Sequence, residues 1–130
     1  MAVQELCRQG GYVIEHEYET AWLRWQGGKL LIGDHYGDPS CALIDPAGAW
    51  CLTAGEGVIV CRFSPKLSEQ DRPKRCEEAE LWRGNLPPPD GKKVWFVESV
   101  SHLSGNRVRL LVDGGRSYDV DVSTLEWGLA

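Results

Sequence analysis

Runs rich in β-forming residues, broken by glycine and proline turns, predict strands over much of this chain. From residue 12 to residue 25 the β-formers Val13, Thr20, Trp22 and Trp25 recur, and Gly27-Gly28 supplies a hairpin turn before another strand over residues 29–33. Residues 2–9 read differently. Val3, Leu6 and Cys7 share a helical face and Gly10-Gly11 ends the run, so a helix of two turns or fewer is expected there.

Residues 41–63 allow turn chemistry and face patterning to be tested against each other. Asp45-Pro46-Ala47-Gly48 has the composition of a four-residue turn, with Pro at its second position and Gly free to take positive φ. Closing it pairs Ile44 with Ala49, Leu43 with Trp50 and Cys41 with Leu52. A second turn at Ala54-Gly55-Glu56-Gly57 pairs Thr53 with Val58, Leu52 with Ile59 and Trp50 with Cys61. Together the two registers place Cys41, Leu43, Trp50, Leu52, Ile59, Cys61 and Phe63 on one apolar face. The opposite face, with Ile44, Cys51, Val58 and Val60, is too apolar for solvent, which predicts central strands covered on both sides.

Prolines at 65, 73, 87, 88 and 89 break any sheet over residues 64–92, which read as a charged, Pro-rich connector. Within it Asp71 can cap and Pro73 can open a helix over residues 72–83, with Cys76, Ala79 and Trp82 on its inner side and Gly84 at its end. A meander follows: a strand to Leu103, a turn at Ser104-Gly105-Asn106, a strand to Val112 and another from Arg116 to Val122. A two-residue loop at Gly114-Gly115 would set Leu110 against Asp119 and Val108 against Asp121. The three-residue loop Asp113-Gly114-Gly115 instead pairs Leu110 with Tyr118, Val108 with Val120, Arg109 with Asp119 and Arg107 with Asp121, and is therefore the expected one. In this arrangement His102 lies opposite Arg109. The expected fold is a single domain over residues 1–130, a β-rich α+β architecture. It is an antiparallel curved sheet, or a small barrel or sandwich, of about eight strands with one or two short helices.

Composition narrows the function classes. The 130 residues carry 14 Lys plus Arg against 19 Asp plus Glu, a formal charge of −5, and residues 1–63 alone hold 8 acids to 4 bases. An acidic body without a basic, aromatic-interleaved stripe repels phosphates, which argues against nucleic acid as a partner. No apolar run approaches the ~20 residues that cross a bilayer, and no basic segment followed by an apolar one marks secretion. Five cysteines, at 7, 41, 51, 61 and 76, form an odd set without a Cys-X-X-Cys pair, as expected of reduced thiols in the cytoplasm. The registers above put Cys51 on the face opposite Cys41 and Cys61.

Chemistry concentrates in the loop Gly33-Asp34-His35-Tyr36-Gly37-Asp38-Pro39. Asp34, His35 and Asp38 could ligate an ion, or His35 with a carboxylate could act as base and orienter, yet the same residues also suit a turn built on side-chain to backbone hydrogen bonds. His16 alternates with Glu15 and Glu17 and reads as a buried, hydrogen-bonded histidine. No Gly-X-Ser-X-Gly occurs, no two histidines stand at metal-ligand spacing, and Gly55-Glu56-Gly57 offers an acid where a phosphate loop needs amides. No catalytic residue, metal or cofactor is assigned.

In size, charge and missing chemistry the chain is similar to the small acidic cytoplasmic proteins of bacteria that bind and neutralise a toxin enzyme, the immunity proteins; no motif carries that similarity. The expectation is a non-enzymatic binding protein, monomeric or homodimeric, with a basic protein partner and neither nucleic acid nor membrane. Its contact surface would comprise Asp34, His35, Tyr36 and Asp38, with Glu56 on a neighbouring turn and Trp127 as an aromatic anchor. Two alternatives stand beside it: a small-molecule-binding or hydrolytic β-barrel using Asp34, His35 and Asp38, and a structural or accessory module of an assembly.

Overall fold

Short turns, several of them carrying a glycine at positive φ, fold the described residues into antiparallel hairpins. In the computed structural model, residues 3–35, 37–63, 76–81, 96–112, 115–124 and 126–129 are described. They form twelve strands: β1 Gln4–Gln9, β2 Tyr12–Glu17, β3 Thr20–Trp25, β4 Gly28–Asp34, β5 Cys41–Ile44, β6 Trp50–Gly55, β7 Gly57–Phe63, β8 Cys76–Leu81, β9 Val97–Ser104, β10 Arg107–Val112, β11 Arg116–Asp121 and β12 Glu126–Leu129. All pairs are antiparallel. Three four-stranded sheets result, ordered β1-β2-β3-β4, β5-β6-β7-β8 and β12-β11-β10-β9. The β-rich, antiparallel expectation holds, with twelve strands in place of about eight and no helix among the described residues.

Both expected helices give way to strands where they can be compared. Residues 4–9 pair with β2, setting Cys7 opposite Ile14 and Gln9 opposite Tyr12, and Gly10, at φ 59°, turns the hairpin instead of ending a helix. A six-residue segment gains little from its own helical hydrogen bonds, whereas pairing with β2 satisfies its backbone and lets Leu6 and Cys7 pack on a core. Likewise residues 76–81 form β8 along the edge of β7, Cys76 opposite Phe63 and Leu81 opposite Val58. The remainder of the predicted helix 72–83, and of the Pro-rich connector, lies outside the described residues.

The middle sheet separates two cores. Trp50, Leu52, Ala54, Val58 and Val60 face the third sheet, meeting Val97, Val108, Leu110, Val112, Tyr118, Val120 and Val122. Ala42, Ile44, Cys51, Ile59, Cys61 and Phe63 face the first sheet, meeting Ile14, Ala21, Leu23 and Ile32. Every residue of β6 is buried, as the double apolar face predicts.

Two registers in this sheet differ from expectation. The loop joining β5 to β6 is residues 46–49, one position later than predicted, because the Asp45 carboxylate accepts the amides of Ala47 and Ala49 while the Asp45 amide donates to the Trp50 carbonyl. Cys41 therefore opposes Ala54 and Leu43 opposes Leu52, a two-residue shift that leaves the faces intact. The β6–β7 hairpin slips by one residue, which does not. Gly55 opposes Gly57 with Glu56 alone at the apex and Gly57 at φ 87°, so Leu52 meets Val60 and Cys51 meets Cys61. Ile59, Cys61 and Phe63 thus belong with Cys51 on the face toward the first sheet, and it is Cys41 that lies on the other.

In the third sheet the register of β10 with β11 follows the expected three-residue loop, Leu110 opposite Tyr118 and Arg109 opposite Asp119, with Gly115 at φ 80°. Arg109 donates from Nε and Nη2 to the Asp119 carboxylate at 2.9 and 3.2 Å. Gly105-Asn106 alone turns β9 into β10, and a bulge next to it puts His102 opposite Val108, not Arg109.

Candidate functional site

The predicted loop begins where β4 ends. Thr20 opposes Asp34 across β3 and β4, and its hydroxyl donates to the Asp34 carboxylate at 2.7 Å. Beyond it the chain turns inward: His35 is only 2% exposed, and its Nε2 lies 2.8 Å from the Thr53 hydroxyl in the middle sheet. Its backbone amide donates to the Glu19 carbonyl at 2.8 Å. Gly37 and Asp38 return to the surface, and the Gly37 amide donates to the Glu19 carboxylate at 2.6 Å. His35 is therefore the buried pin of this loop while Asp34 and Asp38 are its exposed acids. Tyr36 lies outside the described residues.

Glu56 is brought close to this loop by an intimate backbone contact. A Cβ on Gly55 would come to 3.0 Å from the Pro39 Cα and 3.1 Å from the Asp38 carbonyl, so any larger residue must push that backbone back by a few tenths of an ångström. Ser40 also donates its amide to Ala54. Glu56 itself is half-buried, in a bridge with Phe96. Trp127 belongs elsewhere: it is in β12, opposite Val120, at the edge of the third sheet.

What sequence reasoning missed is the hairpin beside the loop. Tyr18-Glu19 joins β2 to β3, and Tyr18 takes φ 53°, a left-handed conformation that costs a bulky side chain about 1–2 kcal/mol. The surrounding structure holds it there. His16, buried as expected, donates from Nδ1 to the Tyr18 carbonyl at 2.9 Å, next to the bond between the His35 amide and Glu19. Tyr18 stays 57% exposed. The signal in the sequence was the Glu17-Tyr18-Glu19 triplet at a two-residue turn position; its partnership with Asp34 needed the β3–β4 register.

Glu17, Tyr18, Glu19, Thr20, Trp22 and Asp34 line an open groove of about 430 Å³. Beside it is a neutralised pair, in which Arg24 donates from Nε and Nη2 to the Glu15 carboxylate at 2.8 and 3.1 Å. That hydrogen bonding holds Glu15 below the ordinary carboxylate range. Among the described residues no ion pair engages Glu17 or Glu19. A neighbouring cation does approach the groove's aromatic wall, the Lys29 ammonium lying 5.1 Å from the Trp22 ring centre.

The groove includes Asp34 but neither His35 nor Asp38. Among the described residues no three His, Cys, Asp or Glu side chains gather as metal ligands. Burial pushes the thiols of Cys7 and Cys41 up, away from the thiolate a nucleophile needs. Also among the described residues, no helix is long and apolar enough to cross a membrane.

No family model, curated protein or solved structure matches this chain. The functional reading therefore rests on the geometry alone.

Proposed function

We propose that this chain is a cytoplasmic, non-enzymatic protein-binding domain that engages a basic protein, in the manner of an immunity-type inhibitor that covers the cationic active site of a toxin enzyme. The observation that carries the reading is the segregation of its polar groups. His16 and His35 are buried and used to fix a hairpin and a loop, while Glu19 and Asp34 at one end of the first sheet and Asp38 in the following loop are exposed, with Glu17 half-buried beside them. Together with the net charge of −5, such an end attracts a basic partner over a range set by ionic strength and raises its association rate. Glu56, close by through Gly55, extends the acidic surface, and Trp127 would serve a partner that reaches the third sheet.

The test is isolation of the protein from its native host at low ionic strength. A stoichiometric complex with a basic protein, dissociating as salt is raised, is the expected result. Recovery of the chain with no stoichiometric partner under those conditions overturns the reading.

A further inference from the structure

The outer face of the first sheet is more specific than a patch of negative charge. Register places its side chains in three rows across β2, β3 and β4: Glu17, Thr20 and Asp34; then Glu15, Trp22 and Leu31; then Val13, Arg24 and Lys29. The first row and the Tyr18-Glu19 turn form the groove, and the second row continues from its Trp22 wall onto Leu31, which is 59% exposed. Leu31 and Tyr18 are among the large apolar side chains this fold leaves in solvent; Trp22 stands opposite Leu31 in the register and shares the groove with Tyr18.

From this geometry we infer that the face docks one arginine side chain of the basic protein partner together with the apolar residue next to it. The inference rests on the protein-binding reading above and names what that partner must present. A guanidinium entering the groove meets carboxylates at Glu17, Glu19 and Asp34 and aromatic faces at Tyr18 and Trp22. A planar cation that donates in a fork and stacks on rings uses both kinds of wall, whereas a compact ammonium uses only the charge. The Lys29 ammonium lies 5.1 Å from the Trp22 ring centre, within the range at which an indole face attracts a cation. Leu31, on the same row as Trp22, then covers the neighbouring apolar side chain of an extended segment, whose residues repeat every ~3.3 Å. The left-handed Tyr18 is held in place before binding by His16 and by the His35 amide, so little ordering remains to oppose association.

The probe is acetyl-Val-Arg-Val-amide, with its citrulline counterpart as control, titrated into the full chain and followed by amide and indole NMR shifts. Saturable shifts at Glu17, Tyr18, Glu19, Thr20, Asp34 and the Trp22 indole, with the citrulline peptide at least ~tenfold weaker, are expected. Trp22→Ala and the double substitution Glu17→Gln/Glu19→Gln should each weaken the arginine peptide about tenfold, and Glu98→Gln, at an exposed acid on β9 of the third sheet, should leave it within about twofold. The glutamine pair changes no buried group, so it decides the matter if Trp22→Ala fails to fold. Equal binding of arginine and citrulline peptides, or shifts centred away from the groove, overturns the inference. So does a native complex whose affinity is unchanged by Glu17→Gln/Glu19→Gln, an outcome that leaves the protein-binding reading standing. Absence of any stoichiometric basic partner removes that reading, and this inference with it.

Discussion

The middle and first sheets are both built from antiparallel hairpins of similar length, yet they do different work. β6 is buried along its whole length, each of its faces forming part of a core, so every side chain on it is constrained by packing. The first sheet buries Ile14, Ala21, Leu23 and Ile32 on one side and leaves Glu15, Trp22, Arg24 and Leu31 wholly or partly open on the other. A sheet covered twice contributes stability and offers a partner no face. A sheet covered once can vary its outer rows at small cost, and that is where the groove is found.

The widest separation between the two sheets should come from their tryptophans. Trp50 is 2% exposed and its indole donates to Asn106, so Trp50→Ala is expected to cost about 3–5 kcal/mol in urea unfolding. Trp22→Ala, on the half-exposed outer face, should cost less than half as much; equal losses would break the contrast. A smaller effect is expected at glycine. Gly55→Ala forces a Cβ against the backbone of Pro39 and should lower stability by about 1–3 kcal/mol, while Gly11→Ala in the first sheet, with nothing within 4 Å of the new atom, should be nearly neutral by thermal melting. The least expected effect is on acidity. Hydrogen bonds from Arg24 hold Glu15 low, those from Arg109 hold Asp119 low, and Ser123 does the same for Asp121. Each contributes stability that is present above the ordinary carboxylate pKa of about 4 and is lost as pH falls through the lower folded value. These groups lie close to solvent, so the slope of stability against pH below about 4 should be shallow, and Glu15→Gln with Asp119→Asn should flatten it further. An unchanged slope in that double variant would show that neither pair contributes.

How much of this was legible depended on whether a wrong register left a visible penalty. For β10 and β11 it did: the alternative loop set Leu110 against Asp119, and the correct pairing could be chosen from charge and burial alone. For β6 and β7 both faces are apolar up to Cys61, so a slip by one residue exchanged Ile59 for Val60 opposite Leu52 and met a polar residue only at the strand end, where Arg62 replaced Cys61 opposite Trp50. The determinant there was the left-handed Gly57 behind a one-residue apex, a conformation that glycine permits but does not announce. Residues 4–9 were ambiguous because so short a run fits a helical face and a strand equally well until its partner is known. At the site, Asp34, Asp38 and the neighbouring Glu56 could be read from composition and turn spacing. Glu17, Tyr18 and Glu19 could not, since they join Asp34 only through the pairing of Thr20. His35 sat among loop-forming residues, and nothing in the sequence told that Thr53, eighteen positions on, would draw it inside.

Tyr18 sets two kinds of selection against each other. Its backbone would rest more easily as glycine or asparagine, so a search for variants that survive heating should arrive at one of them there. Each such winner would lose a wall of the groove, and improvement in durability at this single turn would be recorded as a decline in grip.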